Sequence, residues 1–147
     1  MDPIGRKRMA HEVPEGASLN PEYEVYFITI CCLPRGENQL AIPEVWQVID
    51  ESLTVRELAG DIQVRLVLVM PDHLHGLFAF PNGKPMAKVI SSLKQWVAKK
   101  SGVQWQRDFF DHRLRTWESG VEKARYIRLN PVRAGLAETP GDWPFQR

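Results

Sequence analysis

The 147-residue chain is poor in cysteine: it has two, Cys31 and Cys32, side by side. Neighbouring strand side chains point to opposite faces, so the pair is badly placed to bond to itself. Without a framework of paired cysteines, the thiols read as reduced packing residues of a cytoplasmic protein. Long apolar runs are also missing. A membrane helix needs about 18 or more consecutive apolar residues, and none occurs, so no span is expected. Met1-Asp2-Pro3-Ile4-Gly5-Arg6-Lys7-Arg8 lacks the apolar stretch of a secretion signal. Repeats and low-complexity segments are absent too. What is present, 44% apolar and 25% charged residues, suits one soluble packed domain.

Net charge is only +1, but it is unevenly spread. Residues 1–83 hold 6 Lys and Arg against 12 Asp and Glu, and residues 84–147 hold 13 against 6. A basic half suits a polyanionic partner and, equally, a solvated basic surface.

Residues 1–22 contain three prolines and few large apolar side chains, and read as a loose leader before a single domain at 23–147. Tyr23–Cys32, rich in β-branched and aromatic residues, predicts a first strand. Pro43 can open a helix, with Val45, Val48, Ile49 and Leu53 on one face and Gly60 as its stop. Gln63–Met70 is an almost continuous apolar run, as in a central strand. Pro71-Asp72 signals a turn into a further strand, His73–Phe80. Met86, Val89, Ile90, Leu93 and Val97 form the apolar stripe of a second helix, closed by Gly102. Val103–Gln106 is a candidate short fourth strand. Residues 117–130 predict a third helix, ended by Pro131 because the residue before proline disfavours helical backbone. The first six elements match a ferredoxin-like (RRM-like) βαββαβ antiparallel sheet core, an α+β fold, followed by an added C-terminal helix. Such a fold names no function by itself.

His73-Leu74-His75 places two imidazoles on one face of a strand, because strand periodicity is two. Paired imidazoles are natural metal ligands, but hydrogen-bonded strand histidines give the same pattern. His11 and His112, in the leader and a polar loop, are given no ligand role. Tyr126 and Asn130 are four apart on the third helix, so they share a face about 6 Å apart along the axis. A packed tyrosine ring beside a helix-closing asparagine fits that spacing as well. The combination is more telling. A tyrosyl hydroxyl ionises only near pH 10 or so in water. A divalent cation on His73 and His75 would neutralise charge developing on a phosphodiester and orient it for in-line displacement. The Asn130 amide oxygen would complete a mixed nitrogen and oxygen set suited to Mg²⁺ or Mn²⁺.

Three ordered motifs now resemble a known family. Val69-Met70-Pro71-Asp72-His73-Leu74-His75-Gly76-Leu77 looks like the HUH signature of single-tyrosine transposases. Trp105-Gln106-Arg107-Asp108-Phe109-Phe110-Asp111-His112-Arg113 and Tyr126-Ile127-Arg128-Leu129-Asn130-Pro131-Val132-Arg133-Ala134-Gly135-Leu136 resemble their REP-associated tyrosine transposase branch. The resemblance spans roughly residues 23–145. It implies cleavage and rejoining of single-stranded DNA through a 5′-phosphotyrosine on Tyr126. It also implies a divalent metal on His73, His75 and Asn130, and a DNA hairpin beside the cleaved bond. Relatives often carry a tyrosine where this chain has Phe109 or Phe110; here the Tyr126 helix supplies the nucleophile. Arg107, Arg113, Arg115, Lys94 and Arg128 are the candidate DNA contacts. A homodimer and a monomer both fit the sequence. The competing readings are a non-catalytic domain that binds hairpin nucleic acid and an HUH nuclease of the relaxase or replication-initiator type.

Overall fold

The computed structural model describes residues 24–81 and 85–147, the Trp117 side chain excepted. The expected leader at 1–22, Tyr23 and residues 82–84 lie outside the described residues. The elements run β1 (Val25–Cys31), α1 (Pro43–Leu58), β2 (Gln63–Met70), β3 (His73–Ala79), α2 (Met86–Ser101), β4 (Phe110–Arg113), α3 (Trp117–Arg128) and α4 (Asn130–Arg133), then a 3-10 turn at Pro140–Asp142. The four strands form one sheet in the order β2-β3-β1-β4, with each pair antiparallel.

Strand periodicity sorts the apolar residues onto two faces. Ile28, Ile30, Val67, Val69, Leu74 and Phe78 face the buried stripes of α1 (Val45, Ile49, Leu53) and α2 (Val89, Ile90, Leu93, Val97). Val25, Phe27, Leu66, Leu68 and Leu77 face the other way, onto Ile127 of α3 and Trp143. Burying a side chain of this size contributes about 1.5–3 kcal/mol. The sheet is therefore covered on both sides, and α3 lies on the face to which His73 and His75 belong. The outer edge of β2 is closed by residues 145–147. Val69 N–H donates to the Phe145 carbonyl at 2.9 Å, and Val67 exchanges bonds with Arg147 at 2.8 and 2.9 Å.

Two expected elements differ. The fourth strand is Phe110–Arg113, not Val103–Gln106. The earlier stretch does touch β1: Leu33 N–H donates to the Gln104 carbonyl, and Gln106 N–H to that of Cys31. Its pairing is then interrupted where Lys94 Nζ draws in the Gln106 and Arg107 carbonyls at 2.8 and 2.9 Å. Pro131 does not end helical structure. α3 stops at Arg128, and Pro131 sits in the first turn of α4. A proline there lacks only an N–H that has no helical acceptor anyway. Thr116 caps α3, its hydroxyl oxygen accepting from Ser119 N–H at 3.1 Å.

Candidate active site

The site is built from the middle of the sheet upward. Register places Cys31 opposite His73 and Thr29 opposite His75. Both histidines are held by their Nδ1 atoms. His73 Nδ1 donates to Asp72 Oδ1 at 2.8 Å, and His75 Nδ1 lies 2.9 Å from Thr29 Oγ1. Fixing one ring nitrogen sets the orientation of the other, as in metal sites where a ligand imidazole is steered by its neighbour. The rings meet edge to face with centroids 4.7 Å apart. His75 also stacks on Phe27 at 5.3 Å and is 7% exposed. Burial pushes its pKa down to about 3, assisted by His73, Lys123 and Arg133. The ring is thus neutral at ordinary pH, with lone-pair density a cation could use.

Asp72 is tied as firmly. Burial works to raise its pKa, but bonds from Arg35, His73 and the Gly36 N–H outweigh it and hold the carboxyl well below the usual range. Sequence reasoning read Asp72 only as a turn residue. Its position directly before His73 was the available signal. Thr29, Cys31 and Arg35 were missed because only strand register brings them here. Cys32 faces the helical core, and burial pushes its thiol up to about 12, which leaves it a packing residue.

Tyr126 comes over this face from α3. Its ring centroid lies 6.5 Å from that of His75, and the residue is 48% exposed. Two cations flank the ring: Arg133 at 4.4 Å and Lys123 at 5.3 Å from its centroid. Lys123 also sits 4.7 Å over Phe27. Arg133 donates to the Tyr126 carbonyl at 2.8 Å and to Asn130 Oδ1 at 3.3 Å. Asn130 Nδ2 is buried with no hydrogen-bond partner. Lys123 was not singled out in the sequence. Its place three residues before Tyr126, one helical turn away, was the signal.

Among the described residues no three His, Cys, Asp or Glu side chains gather as a metal cluster. A cation here would need a ligand of another type beside the two imidazoles. The Asn130 amide carries a donor of another type: a half-turn about its last bond would exchange nitrogen for oxygen, at the expense of the contact with Arg133.

The candidate DNA contacts scatter. Arg113 departs from that expectation: it is 4% exposed, and its guanidinium is turned inward, 3.3 Å from the partly exposed Glu24, where it does not face a phosphate. Lys94 and Arg107 line a cavity between α2 and residues 105–109, on the far side of the sheet from the histidines. Arg115 shares a cavity of about 370 Å³ with His112, Lys123 and Tyr126. Arg128 is exposed on α3. His112 is also misplaced by the sequence reading. It belongs to β4 and pairs with Phe27, on the face that carries His75.

The fold is shared with a transposase of known structure. A solved REP-associated tyrosine transposase bound to a REP hairpin superposes with a TM-score of 0.75 at 23% identity, over 84% of this chain and 75% of that one. Sequence narrows the relationship. The chain is 27% identical over 114 residues to the REP-associated tyrosine transposase of Escherichia coli K12, covering 76% of this chain and 69% of the relative. It is 30% identical over 97 residues to a Haemophilus influenzae protein provisionally given the same name, covering 54% of each. This protein is therefore a relative of the REP-associated tyrosine transposases. No protein-family model matches it.

Proposed function

We propose that the protein is an HUH-type transposase that cleaves and rejoins single-stranded DNA beside a hairpin, with Tyr126 as nucleophile. The observation that carries this reading is the meeting of a half-exposed tyrosine with two imidazoles whose Nδ1 atoms are already engaged. The strand order and the two helices packed on one face agree with a ferredoxin-like core, with the tyrosine on a helix added after it. The relatives named above are transposases, and the solved one binds a REP hairpin.

The residues fit a divalent cation, Mg²⁺ or Mn²⁺, held by His73, His75 and Asn130. When bound, it would withdraw charge from the scissile phosphate. The chain's own groups do the rest. The Tyr126 oxygen attacks phosphorus, the P–O bond to the 3′ oxygen of the preceding nucleotide breaks, and the 5′ phosphate stays on tyrosine. The phenolic proton leaves to solvent or a cavity base, and one is returned to the departing 3′ oxygen. Lys123 and Arg133, already against the ring, meet the negative charge. The ester conserves the energy of the broken bond, so a 3′ hydroxyl can reverse the step and reseal DNA without another energy source. Single-stranded DNA with a hairpin is the proposed partner and the cytoplasm the proposed location. No described helix is long and apolar enough to cross a membrane.

The test is a denaturing gel of protein incubated with labelled hairpin DNA and Mn²⁺ or Mg²⁺. A covalent protein–DNA band that is lost in Tyr126→Phe is the expected result. Retarded complexes on native gels with no covalent band would make the protein a hairpin-binding module. A band that persists in Tyr126→Phe would assign another nucleophile.

A further inference from the structure

α3 sits on the sheet like a keel, with Ile127 fully buried beneath it, and leaves a cavity on each flank. One, of about 370 Å³, takes Ser119, Glu122, Lys123 and Tyr126 from the helix. The other, of about 420 Å³, takes Val121, Ala124 and Arg128, which are spaced three and four apart and so share the opposite stripe. Its floor and walls are Leu66, Leu77 and Leu114, with Arg65 at the bulge of β2. No carboxylate lines it among the described residues. Leu114 borders both cavities. Leu77 is two residues beyond His75 on the same strand face, about 7 Å away along β3. Arg128 is two residues beyond Tyr126.

We propose that this second cavity receives one unstacked base of the single-stranded DNA, with Arg128 at its mouth bound to the adjoining phosphate. The proposal rests on the reading of the protein as a single-strand transesterase. A base offers two apolar faces to aliphatic walls, and its sugar-phosphate carries the charge that a guanidinium answers. Paired bases in a duplex stay stacked and have none to insert, so the cavity selects single strands. Because it lies across α3 from Tyr126, an inserted base would set which phosphodiester reaches the phenol. That makes the cavity a determinant of the cleavage position as well as of affinity.

The test uses the full chain carrying Tyr126→Phe, so that binding is read without cleavage. Fluorescence anisotropy is measured with a DNA hairpin bearing a single-stranded extension, and with copies that have one abasic residue at each successive position. One abasic position is expected to weaken binding about tenfold. Val121→Trp, which fills the cavity from a partly exposed position, should weaken the intact DNA by the same factor and erase the difference between intact and abasic DNA. Arg128→Ala, at an exposed site that folding does not need, should weaken binding and reduce its salt dependence. A flat abasic profile overturns the proposal, as does a folded Val121→Trp protein that discriminates intact from abasic DNA like its parent. So does a Val121→Trp effect on melting temperature alone, which would assign the cavity to the chain's own residues. The two readings fail separately. A Tyr126-dependent covalent band with a flat profile sinks only the pocket, and a sensitive abasic position without any covalent band sinks only the chemistry.

Discussion

His75 links chemistry to folding, because it is buried, stacked on Phe27 and kept neutral with a pKa near 3. An unfolded histidine titrates at about 6.5. As pH falls below that value the unfolded chain takes up a proton that the folded chain refuses, so folding stability is lost with acid. Denaturant unfolding of the metal-free protein is expected to lose about 2 kcal/mol between pH 7 and about pH 5 through this group. His75→Gln should flatten the slope in that window. A slope unchanged by that substitution would place its origin elsewhere. Asp72 contributes with the same sign at lower pH: its depressed pKa adds stability above the carboxylate range, which is lost as pH falls through it. Because of the same burial, His75 cannot be removed without a cost to folding. His73→Ala is the cleaner activity test, since His75→Ala also leaves a cavity. Loosening the imidazoles instead, by Asp72→Asn or Thr29→Val, should raise the Mn²⁺ concentration needed for the covalent band by about 10- to 100-fold. An unaltered Mn²⁺ titration would show that these bonds do not orient ligands.

β3 shows how one element serves core and site together. His73, His75 and Leu77 point to the α3 face, while Leu74, Gly76 and Phe78 point to the helical core. Gly76 is required by that packing: a Cβ there would lie 2.2 Å from Phe78 Cζ, and the Phe78 ring is fully buried. Gly76→Ala is expected to cost about 1–3 kcal/mol through overpacking, read as a lowered melting temperature. A neutral result would mean the ring has room to move. The strands β2 and β3 and the helices α1 and α2 were legible in sequence because their apolar periods are unbroken. β4 was not. Phe110–Arg113 is polar and short, whereas Val103 lends an apolar look to a stretch whose side chain belongs to the helical core.

Charge acts across the whole molecule. The basic C-terminal half does not present a single surface, since Arg113 is paired inside while Lys94 and Arg107 lie behind the sheet. Lys123, Arg128 and Arg133 remain on the α3 side. The slope of log affinity against log salt is therefore expected to fall by about 1 in Arg128→Ala. Arg113→Met should leave that slope alone and lower stability instead, because it removes the bond that the buried guanidinium makes to Glu24. Equal salt slopes for the two variants would contradict this division.

By itself the sequence determined the α+β character, most element positions and which histidines share a face, because these follow from local periodicity. It also placed Tyr126 and Asn130 on one side of a helix. Tertiary structure alone decided that α3 lies over the histidine face, that Thr29 meets the His75 imidazole, and that Arg113 is buried. Those facts depend on strand register and on contacts between residues as far apart as 46 and 89 positions. Local pattern carries no record of such pairings, because the same periodicity is compatible with many registers and with either face of the sheet.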